Sequence, residues 1–127
     1  MEAFEELVNK ACSLMEKLGL HFRLSKLAAG DCSASMARTY DIEVWIPSMG
    51  IYKEVSSVSN FDTYQANRLK CRYRKEGSKK PELCHTLNGS ALALPRIVAS
   101  ILENNQTPEG IRIPRALIPY MGCDIIN

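Results

Sequence analysis

At 127 residues the chain is long enough for one compact domain that buries roughly two-thirds of its unfolded surface, so no disulfide or metal staple is required. Hydrophobic residues make up 46% and charged residues 24%, a balance that excludes disorder. Sixteen lysines and arginines against fourteen acidic residues leave +2, which excludes general electrostatic capture of nucleic acid or membrane.

Phe4, Leu7, Val8, Ala11, Leu14, Met15 and Leu18 recur at steps of three and four, which predicts a helix stopped by Gly19. Residues 20–27 alternate apolar and polar, as a half-buried strand does. Ala28-Ala29-Gly30 breaks it, and Asp31 is placed to cap a short helix over 32–38. Tyr40, Ile42, Val44 and Ile46 then alternate with polar residues, Pro47-Ser48-Met49-Gly50 turns the chain, and Ile51 to Val58 returns. An antiparallel hairpin is expected there. Residues 60–67 read as a loop or short helix, and 68–75 as a strand with Arg68, Lys70, Arg72 and Arg74 on one face. After a polar loop, Leu83 to Leu87 reads as a short strand. Ala91 to Leu102 reads as a helix apolar on most sides, hence buried, with Pro95 kinking it or holding a functional bend. Gly110, Pro114 and Pro119 make the tail irregular. The order predicts an α+β fold, an antiparallel sheet flanked by helices.

The five cysteines, Cys12, Cys32, Cys71, Cys84 and Cys123, contain no C-x-x-C pair, so neither a disulfide framework nor a zinc site is expected. The acidic start Met1-Glu2-Ala3-Phe4-Glu5-Glu6 does not read as a secretory leader, and no apolar run approaches the ~20 residues of a membrane span. A reducing, intracellular setting without a membrane partner is the expectation.

Three local patterns carry chemistry. Glu54-Val55-Ser56-Ser57 sets a carboxylate near hydroxyls on a strand, a donor set for Mg²⁺ with phosphates completing its shell, or simply a solvent-facing polar strand. On a regular strand Glu54 and Ser56 share one side and Ser57 the other, unless the strand bulges. Asn88-Gly89-Ser90 precedes the apolar helix and offers donors, acceptors and a close backbone approach, or no more than a helix cap at Ser90. Arg96, inside that helix, needs an anion: a phosphate or a structural carboxylate. His21 and His85 lack ligand spacing, and Cys84 beside His85 points to the opposite strand face, so neither makes a catalytic pair.

Together the pieces resemble a known family. Tyr40-Asp41-Ile42-Glu43-Val44-Trp45-Ile46-Pro47, then Tyr52-Lys53-Glu54-Val55-Ser56-Ser57-Val58-Ser59-Asn60, is similar to the late catalytic domain of seryl-tRNA synthetases. Tyr64-Gln65-Ala66-Asn67-Arg68-Leu69 resembles the family's QARR-like run. His85 to Arg96 resembles class II motif 3, and Pro114 to Gly122 the family's C-terminal ending. The resemblance implies part of a class II aminoacyl-tRNA synthetase catalytic core, the enzyme that activates L-serine with ATP and transfers it to tRNA(Ser). By matching positions it implies Glu54 and Ser57 on Mg²⁺ and the ATP phosphates, Val55 and Ser56 lining the nucleotide, and Arg96 on the γ-phosphate. Asn88 and Ser90 would contact serine.

The family's coiled-coil arm, motif 1 and motif 2 have no counterpart in residues 1–127, which match the C-terminal portion of the catalytic domain. The chain therefore reads as a catalytic-core fragment that works with an upstream part, in the complete enzyme a homodimer of the cytoplasm or an organellar matrix. Its alternatives are a short non-catalytic paralogue that binds nucleotide, serine or a partner protein, and a nucleic-acid module using Arg68 to Arg74.

Overall fold

The computed structural model describes residues 2–127. The first apolar stripe forms helix α1 (Glu2–Lys17), burying Phe4, Val8, Ala11 and Met15. Glu2 and Glu5 lie in its positive first turn and Lys17 in its last, each complementing the helix dipole. Gly19 ends it in the left-handed region, φ +65°, so that the Leu20 amide reaches back to the Met15 carbonyl at 3.1 Å.

Strands β1 (Phe22–Lys26), β2 (Arg38–Ile46) and β3 (Ile51–Asn60) pair as an antiparallel meander, as their alternation predicts. Gly50, at φ +64°, closes the β2–β3 turn by donating its amide to the Ile46 carbonyl at 3.0 Å. Helix α2 (Tyr64–Leu69) and the small β4–β5 pair (Arg72–Tyr73 with Glu82–Leu83) lead to β6 (Leu87–Gly89). β6 joins the far side of β3, giving the order β1-β2-β3-β6. Helix α3 (Leu94–Asn104) then returns across the sheet. Ile97 and Ile101 from α3 meet the buried side of α1 over Ile42, Val44, Val55 and Val58. This is the expected α+β layer: helices on one face of an antiparallel sheet, the other face polar.

Several elements differ from the expectation. Residues 32–37 form turns rather than a helix, with Asp31 and Met36 amides closing local turns on Ala28 and Ser33 carbonyls. The 68–75 strand is only two residues long. Arg68 belongs to α2 and Lys70 sits in the left-handed region at φ +55°, so the four basic residues never share a strand face. The stretch from Leu83 to Leu87 is split, its ends serving different sheets. Pro95 falls in the first turn of α3, where its missing amide hydrogen is not needed, and does not kink it. α3 is not wrapped in apolar neighbours: Leu94, Val98 and Leu102 are 64%, 53% and 38% exposed. The tail is more regular than its prolines suggest, with β7 (Gln106–Thr107), β8 (Gly110–Arg112) and β9 (Ile125–Ile126) forming a sheet around α4 (Ile118–Met121).

Candidate active site

The site is built on one irregularity in β3. Ile42 pairs with Ser56 and the next residue, Glu43, pairs with Glu54, so Val55 is an extra residue: a β-bulge. Its consequence is alternation shifted by one. Asp41 and Glu43 share the polar face of β2, and their partners are Ser57 and Glu54. Glu54 and Ser57 therefore share that polar face, which a regular strand would forbid. Val55 and Ser56 both turn inward and are 1% exposed. Val55 anchors the bulge in the core, and the Ser56 hydroxyl donates to the Ser90 carbonyl, so at these two positions the backbone is what faces outward.

The bulged strand and the segment after β6 are stitched together along their length. Ser59 pairs with Asn88 and Val58 with Gly89. The Ser90 amide donates to the Ser57 carbonyl at 3.1 Å, and the Ser57 amide to Ser90 Oγ at 3.3 Å. Further on, the Ala93 amide donates to the Val55 carbonyl at 2.8 Å. Arg96 completes the series, Nη1 donating to the Glu54 carbonyl at 2.7 Å with Oε2 of the same residue 3.8 Å away. Ser90 is thus no helix cap; Ala93 holds that position, without a side-chain bond. Arg96 is also not buried. Its side chain is 56% exposed beside the half-exposed Glu54, so the problem of an unpaired buried charge does not arise.

Two concavities result. An open cleft of about 620 Å³ gathers Ser57, Asn88 and Ser90 beneath Met36 and Phe61. A groove of about 470 Å³ holds Glu54 and Arg96 with Lys53 and Glu103 at the turn-end of α3. The floor of the cleft is stiffened by a buried hydroxyl pair, Thr39 to Ser59 at 2.8 Å, with Met36 Sδ accepting from Thr39 at 3.3 Å. Gln65 on α2 accepts from both Thr86 (2.8 Å) and Asn88 (3.1 Å), fixing the amide of Asn88 in place. Reading residues in isolation misses this role of Gln65, because a polar residue on a short helix looks merely solvated.

The glycine of Asn88-Gly89-Ser90 has a packing role as well as a place in the cleft lining. A Cβ at Gly89 would sit 3.2 Å from Leu7 Cδ2 and 3.6 Å from Val58 Cγ2, so its bare α-carbon lets α1 lie against β6. His21 and His85 have the ordinary contacts expected of them: Tyr52 Oη at 3.0 Å from His21 Nε2, and Asp62 Oδ1 at 3.6 Å from His85 Nδ1.

As to metal, the described residues contain no cluster of three or more His, Cys, Asp or Glu side chains that could cage an ion. The Glu54 carboxylate and the Ser57 hydroxyl, two hard oxygen donors on one face, suit a cation whose remaining ligands are substrate phosphates and water. The donor set fits Mg²⁺ held jointly with a polyphosphate. A carboxylate, a guanidinium and a hydroxyl-lined cleft thus lie along one seam of an antiparallel sheet.

Residues 1–105 match the family model of the tRNA synthetase class II core domain (G, H, P, S and T), and the chain belongs to that family. Its relatives include serine–tRNA ligase 2 of Clostridium acetobutylicum, 58% identical over 123 residues, which are 96% of this chain and 29% of that protein. The serine–tRNA ligase of Heliobacterium modesticaldum is 52% identical over 99% of this chain and 30% of its own length. Among solved structures, seryl-tRNA synthetase from Pyrococcus horikoshii, complexed with ATP, superposes with a TM-score of 0.91 at 37% identity, over 99% of this chain and 29% of that one. The cytoplasmic serine–tRNA ligase of Naegleria fowleri, in complex with AMP, gives 0.90 at 34% identity, again over 99% and 30%. The chain spans under a third of the length of each of these proteins.

Proposed function

We propose that residues 1–127 are the C-terminal portion of a serine–tRNA ligase catalytic domain, activating L-serine with ATP and transferring it to tRNA(Ser) together with the upstream portion of such an enzyme, as a homodimer in the cytoplasm or an organellar matrix. The observation that carries this reading is the bulge at Val55. It turns Glu54 and Ser57 to one face and leaves their neighbours to clasp the Ser90–Arg96 segment. A strand with merely solvated polar residues has no use for that irregularity.

Glu54 and Ser57 would hold Mg²⁺ together with the ATP phosphates, and the ion would supply charge neutralisation along the polyphosphate. Arg96, tethered through the Glu54 carbonyl, presents its remaining donors to the γ-phosphate. Asn88 and Ser90 hold serine in the cleft, where the Gln65 contact keeps the Asn88 amide from swinging away. Val55 and Ser56 bound the nucleotide through backbone alone. Reaction here is attack of the serine carboxylate on the α-phosphorus with departure of pyrophosphate. The chain's contribution is alignment and fixed charge, the terms that dominate phosphoryl-type transfer.

The test is serine-dependent ATP–pyrophosphate exchange by the 127-residue chain mixed with the separately expressed upstream part of a serine–tRNA ligase. Exchange that needs both parts and serine is the expected result. Equal exchange with alanine or threonine in place of serine, or full activity without Glu54, would overturn it.

A further inference from the structure

Cysteine spacing in the sequence hides a pair that the fold brings together. Cys71 follows α2 and Cys84 follows β5, yet they face each other across the β4–β5 pair, next in register after Arg72 and Leu83. The Cys84 amide donates to the Cys71 carbonyl at 3.3 Å, and the two sulfurs are 3.6 Å apart although 13 positions separate them. Cys71 is exposed and Cys84 half-exposed, whereas Cys12 and Cys32 have no such sulfur neighbour among the described residues. Two sulfurs at that separation, on backbones joined by a hydrogen bond at the end of the β4–β5 ladder, need only side-chain rotation to meet.

We propose that Cys71 and Cys84 form a reversible dithiol site that is oxidised by small-molecule disulfides of the glutathione class, closing the basic 72–83 loop onto the end of α2. The Cys71 sulfur, the more accessible, attacks one sulfur of the small disulfide as thiolate, forming a mixed disulfide and expelling one small thiolate. Cys84 then attacks the Cys71 sulfur, the mixed bond breaks, and the second small thiolate leaves. The two protons released by the protein thiols end on the two small thiols, and the two electrons are taken up by the small disulfide. The hydrogen bond with Cys71, assisted by partial burial, pushes the Cys84 thiol up, which suits it to the second, intramolecular step, where proximity replaces thiolate abundance. The link would tie Cys71, whose amide is bonded to the Ala66 carbonyl of α2, to the segment that enters Thr86 and Asn88.

The experiment is equilibration of the full chain in reduced and oxidised glutathione mixtures, acid quench, alkylation, and peptide mass mapping, in buffer and in urea. In buffer the peptides bearing Cys71 and Cys84 are expected joined and lighter by two hydrogens, at an equilibrium constant roughly tenfold or more above that in urea, where the fold no longer juxtaposes them. Cys71→Ser should leave Cys84 carrying glutathione instead. Separate glutathione adducts on both cysteines of the parent, or equal linkage in buffer and in urea, would overturn the proposal. Linkage to Cys12, Cys32 or Cys123 in preference would do the same.

Discussion

Arg96 is held by a backbone carbonyl and otherwise exposed, so its removal separates catalysis from folding. In the reassembled ligase, Arg96→Ala is expected to slow pyrophosphate exchange by about 10²-fold or more, as loss of a charged donor at a transferring phosphate does. Its unfolding free energy should fall by no more than about 1 kcal/mol, since one exposed hydrogen bond and one exposed ion pair are lost. Exchange kinetics beside urea unfolding checks both halves. Gln65 acts at one remove, by holding Asn88. Gln65→Ala is expected to raise the KM for serine about tenfold, the equivalent of roughly 1.4 kcal/mol of lost positioning, with kcat moved much less. A split of that kind separates positioning from general damage, and Gln65→Glu, which keeps the acceptor, should restore most of the affinity.

At the scale of elements, the sequence made legible what depends on period. The stripe of α1 and the alternation of β2 are repeated signals, and both elements stand where those signals put them. Glu54, Ser57, Asn88, Ser90 and Arg96 could be picked out by residue type, but not their arrangement. A bulge is a register event between two strands, invisible in either strand alone. The 32–38 helix failed because a lone cap residue cannot stabilise so short a helix without an apolar face to bury. The basic strand failed because helix α2, ending in a left-handed Lys70, consumed its first residues. The packing role of Gly89 is hidden for a related reason, its neighbour Leu7 being remote in sequence. Gly89→Val should therefore destabilise the chain by about 1–3 kcal/mol by overpacking the α1–β6 contact, measured as a lower urea midpoint at unchanged m-value.

The β4–β5 pair adds a pH-dependent element. Hydrogen bonds from Lys75, then Tyr73, hold the Glu82 carboxyl below its ordinary 4.5, while the same contact with Glu82 raises Lys75 above 10.5. A lowered carboxyl contributes stability above its unfolded pKa and loses it as pH falls through the folded value. A raised ammonium contributes fully below its unfolded pKa and loses it as pH climbs through the folded value. The pair should be most ordered between those limits. Amide signals of Arg72–Tyr73 and Glu82–Leu83, followed by NMR, should shift toward disordered positions as pH drops below about 4.5. Glu82→Gln should abolish that acid transition; a transition surviving unchanged would place its origin elsewhere.

At the scale of the molecule, the helices cover only one face of the sheet, and the outer side of β6 pairs with no strand among the described residues. Leu94, Val98 and Leu102 lie four residues apart on α3 and are all exposed, a stripe that water does not favour. An open strand edge and an exposed apolar stripe are each surfaces that recruit another chain. The relatives, more than three times as long over the same match, have ample additional chain to cover it. The isolated chain is therefore expected to self-associate, eluting from size exclusion well ahead of a monomer at tens of micromolar. Adding the upstream part of a serine–tRNA ligase should replace those species by one defined complex, because the two coverings compete for the same stripe. Val98→Lys should suppress self-association with little change in the urea midpoint, since Val98 contributes nothing to the core in the chain alone. The same substitution should weaken capture of the upstream part. Loss of self-association with undiminished capture would assign the two events to different surfaces, the stripe serving only contacts between copies of this chain.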